Sequence, residues 1–593
     1  MTNITQRLYR RPALLVHYLP LNRKLKFSSS VSSRSEQVER IAVIGGGMTG
    51  LTAAFYASRR YPSASISLFE SSTRFGGAVE SVHVPVSNGT TVVCERGPRT
   101  LRANAPRAPV TYDLIDALGL AKTLIAVPKL CSTASRRYIL FPDHLVSVPA
   151  FNPSLLRRHV ASIPAPSVLQ LRQLIRLLCV LATEPLFAGL LGGLLRSFFS
   201  SEPRPQGLHD ESIGSFLSRH LGHRLVDNFA SAVINGLYAG DIYRLSAKAL
   251  LPGLWEIESK AQERRHGALY RFTGTMFPSI NRKTPRLTPR HASDMSLAAQ
   301  SQRREDEMVS RLRKGPSGEL ETSLKDITVF SFRRGLGELP SALETYLASA
   351  DNVELHAGAR VQKIIQNDTG LELSISNRGQ TSTETFTHVI ATTPYNHIIS
   401  AANLDLEPMH TATAMLVTLY FATPNLNHPH RGFGYLIPNS VPLHQNPEHA
   451  LGVVFDTDAM PGQDQAPHHG TKITVILGGH WWRFRSATSF PTEADGVTMA
   501  RRLLHRHLDI SEDPVATLVT LQRDAIPQYE IGHCERMARL RAVLNDRFAG
   551  RLRVAGASYR GIGVHDCVFS ARSVVEGLDV DGWTGLECFE GGN

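Results

Sequence analysis

A chain of 593 residues is long enough for several domains, and a hydrophobic fraction of 42% with 45 glycines excludes a disordered or fibrous protein. The net charge of +12 is unevenly placed. Residues 1–39 carry +5 and residues 281–325 carry +4, so the remainder is nearly balanced and no nucleic-acid surface is expected.

Residues 1–35 hold Arg7, Arg10, Arg11, Arg23, Lys24 and Lys26 and a serine run, with no acid before Glu36. That composition predicts a mitochondrial transit peptide, a basic tail being the alternative. The six cysteines are scattered, with no CxxC pair and no Cys/His group at zinc spacing, so reduced thiols and no metal site are expected. Next, RIAVIGGGMTGLTAAFYASR (40–59) reads as strand, glycine turn and helix. Gly45, Gly47 and Gly50 form G-x-G-x-x-G, which allows a tight turn, a close approach to a pyrophosphate, and helix–strand packing. SISLFE (65–70) is a second strand, and Glu70 at its end is placed to accept a ribose hydroxyl.

A helix is expected from Asp113 to about Gly119, and residues 151–278 are expected to be mostly helical. The apolar stretch 174–199 is interrupted by Arg176, Glu184, Pro185 and Arg196. It reads either as a buried helix pair or as a surface dipping into one leaflet. Residues 279–325 are polar, charged and rich in Pro and Ser, and predict a solvated, disordered insertion. FSFRRGLGELPSALETYLAS then predicts a turn into a helix. NVELHAGARVQKIIQ and HVIATTP predict strands, and residues 400–545 hold several β-rich runs. RLRVAGASYRGIGVHDCVFSARSVVEGL (551–578) repeats the strand–glycine–helix pattern.

After Glu70, SSTRFGGAVES brings Arg74, Gly76 and Gly77 beside the same pyrophosphate. The two fingerprints together resemble the flavoprotein family that contains amine oxidases, phytoene desaturases and protoporphyrinogen oxidases. From Arg40 to about Gly577, the insertion apart, the order of segments is similar to the protoporphyrinogen oxidases of that family. NGLYAGD, IPQYEIGH and AGASY…GVHDC carry the closer likeness, beside ERGPRTLR, GFGYLIP and TVILGG.

The resemblance implies an α/β fold with a Rossmann-like FAD-binding domain (36–130, 326–398 and 546–593). It also implies a β-rich substrate domain (131–150 and 399–545) and a helical membrane-associated domain (151–278). It implies non-covalent FAD on Gly45, Gly46, Gly47, Met48, Thr49, Gly50, Glu70, Ser71, Arg74, Gly77 and Ala78, and on Val361. Gly97, Pro98, Arg99 and Thr100 would line the cofactor, a purely structural turn being the alternative there. Gly561, Ile562, Gly563 and Val564 would meet the isoalloxazine ring, where a helix N-terminus stabilises the charge gained on reduction.

The implied activity is oxidation of protoporphyrinogen IX to protoporphyrin IX by FAD and molecular oxygen, with release of hydrogen peroxide. The implied setting is monotopic attachment to the inner mitochondrial membrane, with a homodimer possible. Arg137 would pair a substrate propionate, with Arg136 adjacent. Gly236 would offer a carbonyl to a pyrrole, Leu436 and Ile476 would flank the macrocycle, and Phe433 would share the pocket. Core packing is the alternative for those last four. No catalytic acid or base is expected, His480, His533 and His565 reading as structural and Asp566 as a helix cap. The competing readings are an amine oxidase, with Cys567 where some members attach FAD, and a catalytically silent flavin-bound scaffold.

Overall fold

The computed structural model describes residues 39–86, 90–129, 131–148, 183–189, 192, 204–205, 207–263, 296–464, 470–486 and 488–589. The expected transit peptide, most of the 174–199 stretch and residues 279–295 lie outside them.

The first strand, β1 (Arg40–Ile44), buries Ile41 to Ile44 without alternation, because its sheet is covered on both faces. It sits centrally in a parallel sheet of order β10 (Val353–Ala357), β2 (Ser65–Glu70), β1, β14 (His388–Ala391), β20 (Leu552–Val554). Three widely separated stretches of chain therefore build one sheet. One face packs α1 (Met48–Arg60), α2 (Ala108–Ala117), α7 (Glu338–Ala348) and α10 (Val564–Glu576), around Phe55, Tyr112, Leu343 and Val568. α2 begins earlier than its apolar pattern suggested, with a proline in its first turn.

The other face packs the antiparallel sheet β11 (Ala359–Gln366), β12 (Leu371–Asn377) and β13 (Gln380–Phe386), together with α9 (His533–Phe548). Met537, Leu540, Leu544 and Phe548 of α9 join that core. The helix thus packs on the dinucleotide sheet, although most of it falls in the segment expected for the substrate domain.

A seven-stranded sheet follows the order β19 (Ala516–Pro527), β15 (Thr411–Phe421), β18 (Thr471–Gly478), β17 (Ala450–Phe455), β16 (Gly434–Leu436), β7 (Arg137–Leu140), β8 (Leu145–Val148). Only its β16–β7 pairing is parallel. Val417, Val475, Tyr435 and Trp482 bury one face with α8 (Glu493–Leu508), a helix started by a Thr492–Asp495 capping box. The hairpin β3 (Ser81–Pro85)–β4 (Thr91–Glu95) lies beside the dinucleotide sheet in sequence. A small sheet, β5 (Leu101–Arg102), β9 (Ile327–Phe332), β6 (Leu124–Pro128), ties segments on either side of the helical region.

Within that region α3 (Ile213–Leu221), α4 (Ser231–Tyr238) and α5 (Pro252–Glu263) enclose Phe216, Ile234 and Trp255. A π turn at Val226–Ala230 leads into α4. No helix among the described residues is long and apolar enough to cross a membrane.

The polar insertion differs from expectation. Residues 297–312 form a four-turn helix, α6 (Leu297–Leu312), with Ser296 accepting the Ala299 N–H at its start. A second helix follows at Pro316–Ser323. Ser301, Glu305, Met308 and Leu312 recur every three or four residues and are buried, Met308 and Leu312 in the same core as Phe330. Two of these four are polar, so apolar periodicity alone does not reveal the stripe.

Glu258 anchors the helical region, accepting from Arg204 at 2.7 Å and Arg219 at 2.7 Å, with His220 at 3.3 Å. Burial acts to raise its pKa, but the hydrogen bonds from His220, Arg219 and Arg204 and the Arg219 charge outweigh it. They hold the carboxyl at about 2 instead of 4.5. The stabilisation is therefore full above about 4.5 and lost as pH falls toward about 2. Amide protection in α3, which carries Arg219 and His220, should fall across that window in the wild type. Glu258→Gln should flatten the dependence, and parallel profiles for the two proteins would contradict it.

Candidate active site

The turn after β1 is built by near-contact of backbone. A Cβ on Gly50 would sit 1.7 Å from the Gly45 carbonyl oxygen, so only glycine lets α1 start this close to the strand. Gly47 is different, since an added Cβ there would meet nothing nearer than the Gly77 Cα at 3.9 Å. Gly77 has φ +59 and presents its own bare Cα to Gly47. The start of α1 has no side-chain cap and no acid in its first turn. An open cradle lined by two glycines at an uncapped, positive helix end fits a pyrophosphate.

Glu70 lies at the end of β2, one oxygen accepting the Gly46 N–H at 2.7 Å and the other the Ser72 N–H at 2.7 Å. It thereby braces the glycine turn, and the unused lone pairs of its carboxylate remain for a ribose hydroxyl. Ser71 stands beside it, its hydroxyl 3.3 Å from Glu70. Met48 and Thr49 are buried in the first turn of α1.

Two arginines are placed otherwise than expected. Arg74 does not face the cradle, because it bonds the Phe75 carbonyl at 3.0 Å and the Gly77 carbonyl at 2.6 Å and pairs with Glu80 at 2.8 Å. It holds the loop that presents Gly77. Arg99 is paired with Asp456 at 2.8 Å, so its side chain joins the cofactor loop to the seven-stranded sheet. In that loop a Cβ on Gly97 would lie 2.0 Å from the Ala78 carbonyl oxygen, which fixes how Gly97, Pro98 and Thr100 follow the Gly77–Ala78 turn. Val361 is buried at a β-bulge, and its carbonyl is taken by His397 Nε2 at 3.0 Å.

The C-terminal turn runs from β20 to α10. Gly561 donates its N–H to the Tyr529 hydroxyl at 2.8 Å, and that hydroxyl donates to the Ala557 carbonyl at 2.6 Å. The Gly561 amide is therefore engaged by protein, so a contact of Gly561 with a ring would not use that N–H. Asp566 caps the Gly563 N–H at 3.3 Å and is held by Arg107 at 2.8 Å. Among the described residues, no protein acceptor meets the Ile562 and Val564 N–H groups, which remain as donors at a helix N-terminus. Tyr529, Arg107 and Glu305, discussed below, were missed in the sequence. Only Tyr529 lay in a quoted motif, and nothing local indicated its partner.

Burial lowers the pKa of all three histidines singled out in the sequence. Burial pushes His565 down to about 4, its Nε2–H donating to the Arg102 carbonyl and its Nδ1 accepting from Thr111 at 2.7 Å. His533, also pushed down to about 4 by burial, donates to the Tyr559 carbonyl and stacks on Tyr529 at 3.8 Å. His480 is pushed down to about 4 by burial against Trp481. Cys567 is buried with its thiol raised by burial to about 11, and its side chain bonds Thr49 in α1. It is a poor thiolate and faces the helix interface.

Sheet register brings the expected substrate residues together. Leu416 pairs Ile476, Ile476 pairs Gly452, Gly452 pairs Leu436, and Leu436 pairs Ile139, so these five form one row on one face. Ile476 and Leu436 are half-buried in otherwise buried strands. On the same face, Gln522 of β19 donates to the Arg96 carbonyl at 2.9 Å, and Thr474 donates to Asp456, the partner of Arg99. The row therefore looks toward the Glu95–Arg99 loop. Gly236 in α4 lies against Leu436, where a Cβ would come within 2.5 Å of its Cδ2. Arg137, two residues before Ile139, shares this face. Its guanidinium sits 5.2 Å over the Phe433 ring, and burial followed by the Arg102 charge lowers its pKa. Among the described residues no carboxylate pairs with Arg137.

The fold and the cradle define a dinucleotide-binding protein whose second domain presents an apolar face to the cofactor loop. Residues 48–578 match the model of the family described as flavin containing amine oxidoreductase, and the chain belongs to that family. A flavin is the cofactor that membership implies. A protoporphyrinogen oxidase of Schizosaccharomyces pombe is 29% identical over 542 residues, covering 91% of this chain and 98% of that protein. A coproporphyrinogen III oxidase of Bacillus subtilis is 23% identical, covering 91% and 98%. The crystal structure of a putative protoporphyrinogen oxidase from Exiguobacterium superposes with a TM-score of 0.63 at 21% identity, over 92% of this chain and 99% of that one, and so shares the fold.

Gly47→Val tests the cradle. The open space at its Cβ predicts unchanged thermal unfolding of the flavin-stripped protein but flavin binding weakened by at least about a hundredfold, a ligand-displacing clash costing several kcal/mol. Equal flavin titrations for variant and wild type would place the pyrophosphate elsewhere.

Proposed function

We propose that this chain oxidises protoporphyrinogen IX to protoporphyrin IX, with non-covalent FAD and molecular oxygen, releasing hydrogen peroxide. The observation that carries the reading is the row Leu416–Ile476–Gly452–Leu436, with Gly236 above it and Arg137 at its end. An apolar macrocycle needs apolar walls. The Leu436 side chain packs into the space beside Gly452 and Gly236, joining the row to the helix above it. A macrocycle bearing propionates along one edge needs a cation at one end, and Arg137 is a guanidinium already held over an aromatic ring. The names of the Schizosaccharomyces and Exiguobacterium proteins support the same substrate class.

FAD, held at the Gly45–Gly50 turn and the 561–564 turn, would supply a hydride acceptor that oxygen can reoxidise. The chain's residues bind, orient and exclude water. Leu416, Ile476 and Leu436 hold the ring plane parallel to the sheet, and Arg137 fixes which edge points outward. The Gly236 carbonyl turns toward a pyrrole N–H, and the Ile562 and Val564 amides stabilise charge at the cofactor's far end. The pyrrole protons pass to solvent, because His565 and His533 are neutral and their donors are committed. Cys567, facing Thr49, supports non-covalent binding over the thioether of some amine oxidases. Residues 1–35 are proposed as a mitochondrial transit peptide, and the segment 151–278 as the attachment to the inner membrane.

The Bacillus relative's name raises a competing substrate, coproporphyrinogen III. That molecule carries four propionates around the ring, and Arg137 stands at one end of the row, so propionates away from it would lie against apolar residues. Steady-state assays with both porphyrinogens should give the larger kcat/KM for protoporphyrinogen IX; a preference for coproporphyrinogen III would overturn the substrate assignment. Arg137→Ala should raise KM roughly ten- to a hundredfold with kcat little changed, one charge-assisted bond being worth about 1.5–3 kcal/mol. An unaltered KM would move the propionate site.

A further inference from the structure

We infer that Glu305 of α6 is a positioning residue for the C-terminal turn that meets the flavin ring, acting through Arg560. Arg560 immediately precedes Gly561. Its two terminal nitrogens reach both oxygens of Glu305, one of them at 3.1 Å, and the two side chains are 8% and 7% exposed. Ser573 of α10 donates to Glu305 at 3.3 Å, so the carboxylate spans from α6 to the helix that follows the turn.

The turn itself is held from three sides. Tyr529 takes the Gly561 N–H. Arg107 donates to the Arg560 carbonyl at 2.7 Å and, from the same nitrogen, to Asp566, which caps Gly563. Glu305 fixes the Arg560 side chain. The three clamps come from segments far apart in sequence, the third from α6 of the polar segment.

Charge gives the contact a second consequence. Glu587, another acid near Arg560, has its oxygens engaged by Thr584 and Gly585. Among the described residues Glu305 is thus the carboxylate bonded to this buried guanidinium. Without it a buried cation would stand unpaired one residue from the turn. Such a cation drags the backbone toward any other acceptor and adds positive potential where a reduced flavin gains negative charge.

The inference rests on the reading that the ring sits on this turn, so flavin content of the purified wild type is measured first. A protein without flavin overturns that reading and the inference together. In the holoenzyme, Glu305→Gln should weaken flavin binding at least about tenfold by fluorescence titration, since a stranded buried charge is strongly unfavourable. It should also raise the flavin midpoint potential. The double variant Glu305→Gln/Arg560→Met, which removes the stranded cation and guards against misfolding of the single one, should return the potential toward wild type. Arg311→Ala breaks the other tether of α6, its pair with Glu576 at 2.8 Å, and should leave affinity and potential unchanged. If Glu305→Gln and Arg311→Ala behave alike, or if Glu305→Gln shifts neither quantity, Glu305 serves only to fasten α6.

Discussion

α1 and α10 lie side by side on one face of the parallel sheet, with Cys567 bonded to Thr49 and Ser570 accepting the Gly556 N–H at 3.1 Å. Their starts follow β1 and β20, two strands of the same sheet separated only by β14. Both helix N-termini therefore open on the same edge of the molecule, the C-terminal edge of the strands, where open α/β sheets bind their ligands. On the proposed reading, a cofactor long enough to reach from one to the other would be held at its phosphates by the first and at its far end by the second. The chain makes its glycine turn twice because one rigid layer must supply two donor sites.

The second domain depends on that layer for its orientation. Arg99 to Asp456 and Gln522 to the Arg96 carbonyl aim one face of the seven-stranded sheet at the cofactor loop. Tyr529, following β19, closes the other side by clamping Gly561. The first two contacts cross hundreds of residues of sequence, and each of the three joins a side chain of one domain to backbone or charge in the other. The apolar row is useful only because its distance from the loop is set by them.

Much of the dinucleotide half was legible in the sequence. The roles of Gly45, Gly50 and Glu70 follow from local chemistry, since strand, turn and helix are contiguous and steric need selects the residue. Arg74 and Arg99 show the limit of such reading. A motif specifies a guanidinium, but its direction is set by Glu80 and by Asp456, the latter far away in sequence. The grouping of Leu436, Ile476 and Arg137 came from family likeness alone, because the row exists only once strand register is known. α6 was missed for a different reason. Its buried stripe includes Ser301 and Glu305, and a buried glutamate reads as solvated until the buried arginine that neutralises it is seen.

Anaerobic rapid mixing of the flavin-loaded protein with protoporphyrinogen IX tests the central claim most directly. The account predicts bleaching of the flavin absorbance without oxygen, followed by porphyrin fluorescence once air is admitted. A flavin that keeps its oxidised spectrum in the presence of this substrate would contradict it.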